Sequence, residues 1–249
     1  MSENSSSNPQ KQSLLRGIAL STGVALWVIV AFFIAGIGVF GAFLSLEKAG
    51  ITLSSVSPAS IQLAQAAMVY LLTLAIAVYV PKIVVKNNTS LKDIGLDRLP
   101  YWKDIGLACV SFVPYVIIST GLVLLATTYL PGFDSEQVQD IGFDRSSNRT
   151  GLILAFVTLV VLAPVAEEAL FRGYLYGKMR KATNVFVAIV LTSIAFAVVH
   201  GQVNVGIDVF ALSVILCLLR EFTGSIWAGV LLHMIKNAIA FYFLFIYVG

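Results

Sequence analysis

The sequence predicts an all-α protein, a polytopic transmembrane helical bundle of about seven spans. Only 12% of its 249 residues are charged, whereas soluble domains carry about 25%. Its hydrophobic residues, 58% of the chain, fall in several runs of about 20 residues, the length that crosses a bilayer as a helix. No polar stretch reaches the roughly 50 residues of a small soluble domain.

Seven apolar segments are expected to be helical, because unpaired backbone polar groups are too costly in hydrocarbon. The first and the fourth exceed the roughly 20 residues that a span needs, so they tilt or protrude, whereas the sixth is short. A re-entrant or interfacial helix is the alternative, and it would bring the number to eight. The segments cover residues 17–45, 61–81, 105–130, 150–176, 184–200, 204–219 and 225–247.

The rest of the chain gives little sign of a second domain. Residues 1–16 are predicted to form a disordered cytoplasmic tail, and 17–249 a single membrane-embedded domain. The loop at 82–104 ends in Tyr101-Trp102, an aromatic pair that suits a membrane interface, so a short amphipathic helix is expected there. Cys109 and Cys217 lie in apolar runs and are expected to be small buried hydrophobes.

The distribution of Lys and Arg predicts a cytoplasmic N-terminus and an outside C-terminus. With that orientation the outside loops hold three cations, Lys48, Arg145 and Arg149. The inside segments hold eleven, namely Lys11, Arg16, Lys82, Lys86, Lys92, Arg98, Lys103, Lys178, Arg180, Lys181 and Arg220. We therefore expect an integral, multi-pass protein, and its compactness favours a prokaryotic plasma membrane. The net charge of +3 does not indicate a nucleic-acid partner, and none is expected.

A small set of polar residues falls inside the predicted spans, where a charge costs about 3 kcal/mol or more. Such residues are functional candidates by default. Both histidines of the chain belong to the set, which consists of Glu167, Glu168, Arg172, His200, Asp208, His233, Lys236 and Asn237.

Helical geometry sorts these residues. Glu168 and Arg172 are four apart and can pair on one face, and His233 and Asn237 have the same spacing. Glu167 lies about 100° round the helix from Glu168, so its carboxylate faces another space. Pro164 lacks an N–H and frees backbone near Val160, which allows a bend.

A carboxylate, two imidazoles and a carboxamide from three helices form a plausible hydrolytic set. The carboxylate can act as general base on a water, and one imidazole can orient that water. The other imidazole and the amide can donate hydrogen bonds to a developing oxyanion. The same donors could instead bind zinc, with Glu167, His200 and His233 as candidate ligands. The residue pattern does not separate the two mechanisms.

At these residues the chain resembles the CPBP intramembrane protease family, which includes the type II CaaX prenyl endopeptidases and bacteriocin-processing relatives. That family shows EExxxR, FxxxH and HxxxN motifs on successive membrane helices. Here the motifs are EEALFR at 167–172, FAVVH at 196–200 and HMIKN at 233–237, all within the segment 150–247.

The resemblance implies an endopeptidase that cuts a membrane-associated protein or peptide. It implies Glu167 as the base and His200 as its partner in activating water. His233 and Asn237 would stabilise the oxyanion, and Glu168 and Arg172 would be a supporting pair. The departure from the family pattern is Lys236, for which Asp208 is the expected counter-ion.

Two other classes of function stay open. Intramembrane Glu, Asp, His and Lys also form the proton relays of transporters, although no inverted repeat is visible in the sequence. A non-catalytic relative that binds a peptide as an immunity protein or scaffold would keep the fold without needing Glu167. Neither the substrate nor the oligomeric state is indicated.

The predicted helix boundaries place the three candidate residues at different depths in the membrane. At about 1.5 Å per residue, Glu167 and His233 lie roughly 13 Å from the expected inner boundary, but His200 about 24 Å. Either the fifth segment begins before the membrane or its helix is steeply tilted. A shared site requires Glu167 and His200 to meet directly or through one water.

Overall fold

The fold is a bundle of seven helices, seen in a computed structural model that describes residues 9–51, 53–137, 143 and 148–247. Those residues contain no strand, so the predicted all-α class is confirmed. The helices are α1 Pro9–Lys48, α2 Pro58–Val84, α3 Trp102–Tyr129, α4 Arg149–Ala182, α5 Val185–Val199, α6 Val203–Thr223 and α7 Trp227–Ile246.

Six of these helices are long and apolar enough to cross a membrane, and α5, with 15 residues, is shorter. The sequence wrongly predicted the sixth segment to be the short one, since α6 has 21 residues. Helix α1 begins at Pro9, so residues 9–16 of the predicted disordered tail are helical, and 1–8 lie outside the described residues.

The prediction of a short amphipathic helix in the 82–104 loop is wrong. Helix α2 continues to Val84, and residues 85–101 form irregular chain with turns at 91–95 that folds against α4 and α6. Asp93 holds these turns, because it accepts hydrogen bonds from Ser90 and pairs with Lys181 at 2.6 Å. Arg220 of α6 donates to the carbonyl of Asp93 at 2.9 Å. Side-chain to backbone bonds thus replace the helix.

Charge pairing at Asp93 makes this segment pH-sensitive. Hydrogen bonds from Lys181 and Ser90 hold the pKa of the Asp93 carboxyl well below its ordinary value. A carboxyl whose pKa is lowered by folding contributes stability above its unfolded pKa and loses it as the pH falls towards the folded pKa. The contribution is small because both partners are partly exposed.

The second half of α4 runs through the centre of the bundle. Nine consecutive residues, 168–176, are buried, packed against α1, α2, α5 and α6. Large apolar side chains of α1, α2 and α3 face outwards, as lipid contact requires. Cys217 is buried as expected, but Cys109 is exposed on α3. Residues 168–176 are therefore held inside the protein and away from lipid.

The length of α4 removes the predicted difference in depth between Glu167 and His200. The helix ends at Ala182, six residues beyond the predicted end at 176, whereas α5 begins at Val185, one residue from its predicted start. Glu167 therefore precedes the end of α4 by 15 residues, and His200 follows the start of α5 by 15. The boundary error lay in the fourth segment, and the two residues are equally many positions from the turn that joins α4 to α5.

Candidate functional site

Helix α4 carries two π-helical stretches, Val157–Leu162 and Ala169–Leu175, on either side of the two glutamates. Such wider turns are rare and occur frequently at functional sites. Glu168 between them is fully buried, whereas the Glu167 side chain keeps 17% exposure. The expectation that the two carboxylates face different spaces is confirmed.

Glu168 and Arg172 form the buried pair that their spacing predicted. Arg172 Nη1 lies 2.8 Å from Glu168 Oε1, and both side chains are at most 1% exposed. The guanidinium also lies over the ring of Phe196 of α5, 4.2 Å from its centroid. Gly229 of α7 leaves space for the Glu168 carboxylate, because a Cβ atom at position 229 would lie 3.1 Å from Glu168 Oε2.

His233 of α7 stands between the two glutamates. Its Nδ1 lies 3.1 Å from Glu168 Oε1, and its Nε2 lies 3.9 Å from Glu167 Oε2. A carboxylate only accepts hydrogen bonds, so Nδ1 of His233 carries a proton and donates a hydrogen bond to Glu168 Oε1. Nε2 is left to face Glu167, at a separation that a bridging water or a substrate atom can span. Sequence spacing gave no sign of this bridge.

His200 directly follows the last residue of α5 and presents one ring nitrogen to the interior. Its Nδ1 donates to the carbonyl of Phe196 at 2.7 Å, since that oxygen can only accept. The chain then turns at Gly201, whose φ of 68° favours glycine. Phe196 packs edge-on against both His200 and His233. The aromatic residue of the second motif therefore separates and orients the two imidazoles.

Asn237 is fixed by the backbone irregularity of α4. Its Nδ2 donates to the carbonyl of Leu159 at 2.9 Å. In a π-helical turn that carbonyl would bond to the N–H five residues later, but this residue is Pro164, which has none. The sequence predicted free backbone near Val160. The π register shifts the free carbonyl by one residue, and Asn237 satisfies it.

Two cavities of about 210 and 240 Å³ meet at Glu167, and both are lined by Tyr70, Glu167 and His200. The structure thus brings the first two motifs to one place, as a shared site requires. The remaining walls of the smaller cavity are apolar and come from α1, α4 and α5, namely Val28, Ile29, Phe32, Leu170, Phe171 and Val199. The larger also contains His233, Lys236 and Asn237 of the third motif.

Tyr70 of α2 is a site residue that the motif reasoning missed. Its hydroxyl donates to Glu167 Oε1 at 2.7 Å, which leaves Oε2 to face His233. The N-terminal half of the sequence carries none of the three motifs and shows only apolar character. The available signal was a tyrosine in the middle of a span, since a buried tyrosine hydroxyl usually has a hydrogen-bond partner.

Replacing Tyr70 with Phe tests its part in the site. The phenol is lost and the ring is kept, so Glu167 is no longer held, and we expect any activity that uses Glu167 to fall about tenfold. The quantity to measure is kcat for that activity. Tyr79→Phe on the same helix is the matched control, because Tyr79 is 59% exposed. Equal loss in both variants would contradict the assignment of Tyr70.

The donors do not converge on a metal. Among the described residues no group of three or more His, Cys, Asp and Glu side chains is placed to hold one. Glu167 and His233 approach each other, but His233 is also committed to Glu168. The candidate zinc set Glu167, His200 and His233 is therefore not supported among the described residues.

Comparison with known proteins agrees with the motifs. Residues 149–239 match the family described as "Rce1-like: Type II CAAX prenyl endopeptidase Rce1-like". A protein named "Putative membrane peptidase YdiL" of Bacillus subtilis is 27% identical over 104 residues, which are 39% of this chain and 43% of that protein.

A second relative is less informative. An "Uncharacterized 24.3 kDa protein" of Escherichia coli is 25% identical over 151 residues, which are 58% of this chain and 62% of that protein. The chain thus spans about half the length of the curated relatives it matches. No solved structure matches.

The family match covers all three motifs and every helix that carries them. It begins at the first residue of α4 and ends within α7. The resemblance to CPBP family proteases that the motifs predicted is thereby confirmed for residues 149–239.

Proposed function

We propose that the protein is an intramembrane endopeptidase that hydrolyses a peptide bond of a membrane-associated protein or peptide. The observation that carries the proposal is the position of Glu167. Its carboxylate lines both cavities together with His200, its Oε1 accepts a hydrogen bond from Tyr70, and its Oε2 lies 3.9 Å from Nε2 of His233. Glu168 instead is neutralised by Arg172. One of the two carboxylates is therefore available for acid–base chemistry.

Glu167 acts as the general base in this mechanism. Its Oε1 is occupied by the Tyr70 hydroxyl, so Oε2 takes a proton from a water as the water oxygen attacks the scissile carbonyl carbon. His200 orients that water through Nε2, because its Nδ1 is held by the carbonyl of Phe196. The proton then passes from Glu167 to the nitrogen of the amine that leaves, and the second proton of the water stays on the new carboxyl group, so the products are a carboxylic acid, which then ionises, and an amine.

His233 and Asn237 stabilise the oxyanion. Nδ1 of His233 donates to Glu168, so Nε2 is the ring nitrogen that faces the oxyanion, and it donates to the oxyanion when both ring nitrogens carry a proton. Asn237 gives one amide hydrogen to Leu159 and keeps the second for the oxyanion. The contact with Leu159 fixes the carboxamide before the substrate arrives, as preorganised stabilisation requires.

The substrate is proposed to be anchored in the membrane, with the bilayer as the medium in which it reaches the site. The smaller cavity has apolar walls contributed by α1, which suits an extended, apolar peptide. The positive-inside pattern supports a cytoplasmic N-terminus. A prokaryotic plasma membrane is supported by the bacterial origin of both relatives.

Cleavage of anchored peptides tests this function. Purified protein in proteoliposomes is given palmitoylated peptides and the same peptides without the acyl chain, and the products are identified by mass spectrometry. We expect cleavage of the anchored set, and loss of cleavage in His200→Ala. Proton flux across the vesicles without any cleavage would instead favour an ion pathway. Peptide binding without cleavage would favour a non-catalytic relative.

A chelator separates the metal-free mechanism from a zinc mechanism. Because the donors do not converge, we expect the cleavage rate to be unchanged, within twofold, after exhaustive dialysis against 1,10-phenanthroline. The measurement is the initial rate before and after dialysis. Abolished cleavage that returns on addition of Zn²⁺ would contradict the mechanism proposed here.

A further inference from the structure

Lys236, the residue by which the third motif departs from the family pattern, has no part in the steps above. It lines the 240 Å³ cavity together with Glu167 and His200, and its side chain keeps 20% exposure. Among the described residues that line this cavity it is the only lysine or arginine. Lys236 is therefore placed to contact a ligand that binds in this cavity beside Glu167 and His200.

The counter-ion of Lys236 is only partly available to it. Asp208 Oδ1 accepts hydrogen bonds from Tyr115 at 2.7 Å and from Ser119 at 2.6 Å, both on α3. Its Oδ2 lies 3.4 Å from Lys236 Nζ, beyond the roughly 2.7–2.9 Å of a charge-assisted hydrogen bond. Asp208 is thus an anchor fixed by α3. An ammonium has three donors, and those not directed at Asp208 can serve a second oxygen ligand.

We propose that Lys236 binds a carboxylate of the substrate, carried either by its C-terminus or by an acidic side chain near the scissile bond. The inference rests on the proposed function, because the ligand is the peptide substrate. Lys236 lies next to Asn237 and three residues beyond His233 on α7, about one helical turn from the proposed oxyanion site.

Charge in the cavity argues for an anionic ligand. Glu167 would repel a substrate carboxylate at close range, so an anion binds there only beside a cation. Beyond Lys236 the wall is apolar, formed by Ala240, Phe241, Leu244 and Phe245, so Lys236 is the last group at this end of the cavity that can pair with a carboxylate. The ammonium therefore sets where along the cavity a carboxylate is held, and hence which bond lies at Glu167.

Binding of matched peptides tests the inference without requiring cleavage. The probes are palmitoylated, dansyl-labelled Ala-Ala-Leu-Ala-Ala with a free C-terminal carboxylate, its C-terminal amide, and two amides in which Asp or Asn replaces one internal alanine. Dissociation constants are measured in nanodiscs by fluorescence anisotropy with the Glu167→Gln protein. We expect the carboxylate of one matched pair to bind about tenfold tighter than its neutral partner.

Variants of the ion pair complete the test. Lys236→Arg keeps the preference for the carboxylate, and Lys236→Gln loses it. Because Lys236→Gln leaves Asp208 without its cation, the double variant Lys236→Gln/Asp208→Asn is the control for folding, and it too loses the preference. The pair that the protein discriminates identifies the source of the carboxylate. Discrimination of the C-terminal pair indicates the C-terminus of the substrate, and discrimination of the Asp/Asn pair indicates an acidic side chain.

Two results would overturn the inference. One is the absence of any difference within either pair, whether the probes bind equally or do not bind at all. The other is a preference that survives in both Gln variants. If the wild type cleaves nothing but still prefers the carboxylate through Lys236, the proposed function fails and this inference stands.

Discussion

Glu167→Gln is expected to lower kcat for cleavage of an anchored peptide by about 10²–10⁴-fold. The amide keeps the size of the side chain and can still contact Tyr70, but it cannot take a proton from water. KM should change little, because Glu167 contributes to the chemical step more than to substrate binding. The measurement is a full rate profile over substrate concentration with protein in proteoliposomes.

The matched control for this substitution is Glu136→Gln, since Glu136 is exposed in the loop that follows α3. It should cleave at the wild-type rate. A Glu167→Gln protein that folds normally and cleaves as fast as this control would remove Glu167 from the mechanism.

Arg172→Met is expected to destabilise the protein by about 3–5 kcal/mol, because it leaves the buried carboxylate of Glu168 without its cation. The contact of the guanidinium with Phe196 is lost as well. Thermal unfolding in detergent can be followed with a thiol-reactive dye in a Cys109→Ser background, since Cys217 is fully buried until the bundle opens.

A double variant separates the buried charge from packing. Glu168→Gln/Arg172→Met removes both charges, so it should recover much of the stability that Arg172→Met loses. If both proteins unfold at the same temperature, the loss comes from packing around Phe196 and not from an uncompensated carboxylate.

The sequence was most informative where helical spacing decides the outcome. The four-residue interval between Glu168 and Arg172 predicted a pair that lies 2.8 Å apart, because residues four apart share a helix face. The offset of Glu167 predicted its exposure to another space. The seven helices followed from hydropathy, because a spanning segment must satisfy its own backbone.

Contacts between helices that are distant in sequence could not be predicted in the same way. Tyr70 reaches Glu167 across 97 positions, and His233 meets both glutamates only because α7 packs against α4. The π-helical turns of α4 also carry no clear sequence signal. They change which backbone carbonyl is left free, and so they decide the partner of Asn237.

The most direct test of a water-activating Glu167 is a single-turnover cleavage in H₂¹⁸O. The wild-type protein, in excess over a palmitoylated substrate peptide, should place one ¹⁸O in the new C-terminal carboxylate of the product. Glu167→Gln and His200→Ala should give no labelled product on that timescale, and Glu136→Gln should match the wild type. Labelled product formed at the wild-type rate by Glu167→Gln and His200→Ala would contradict the account.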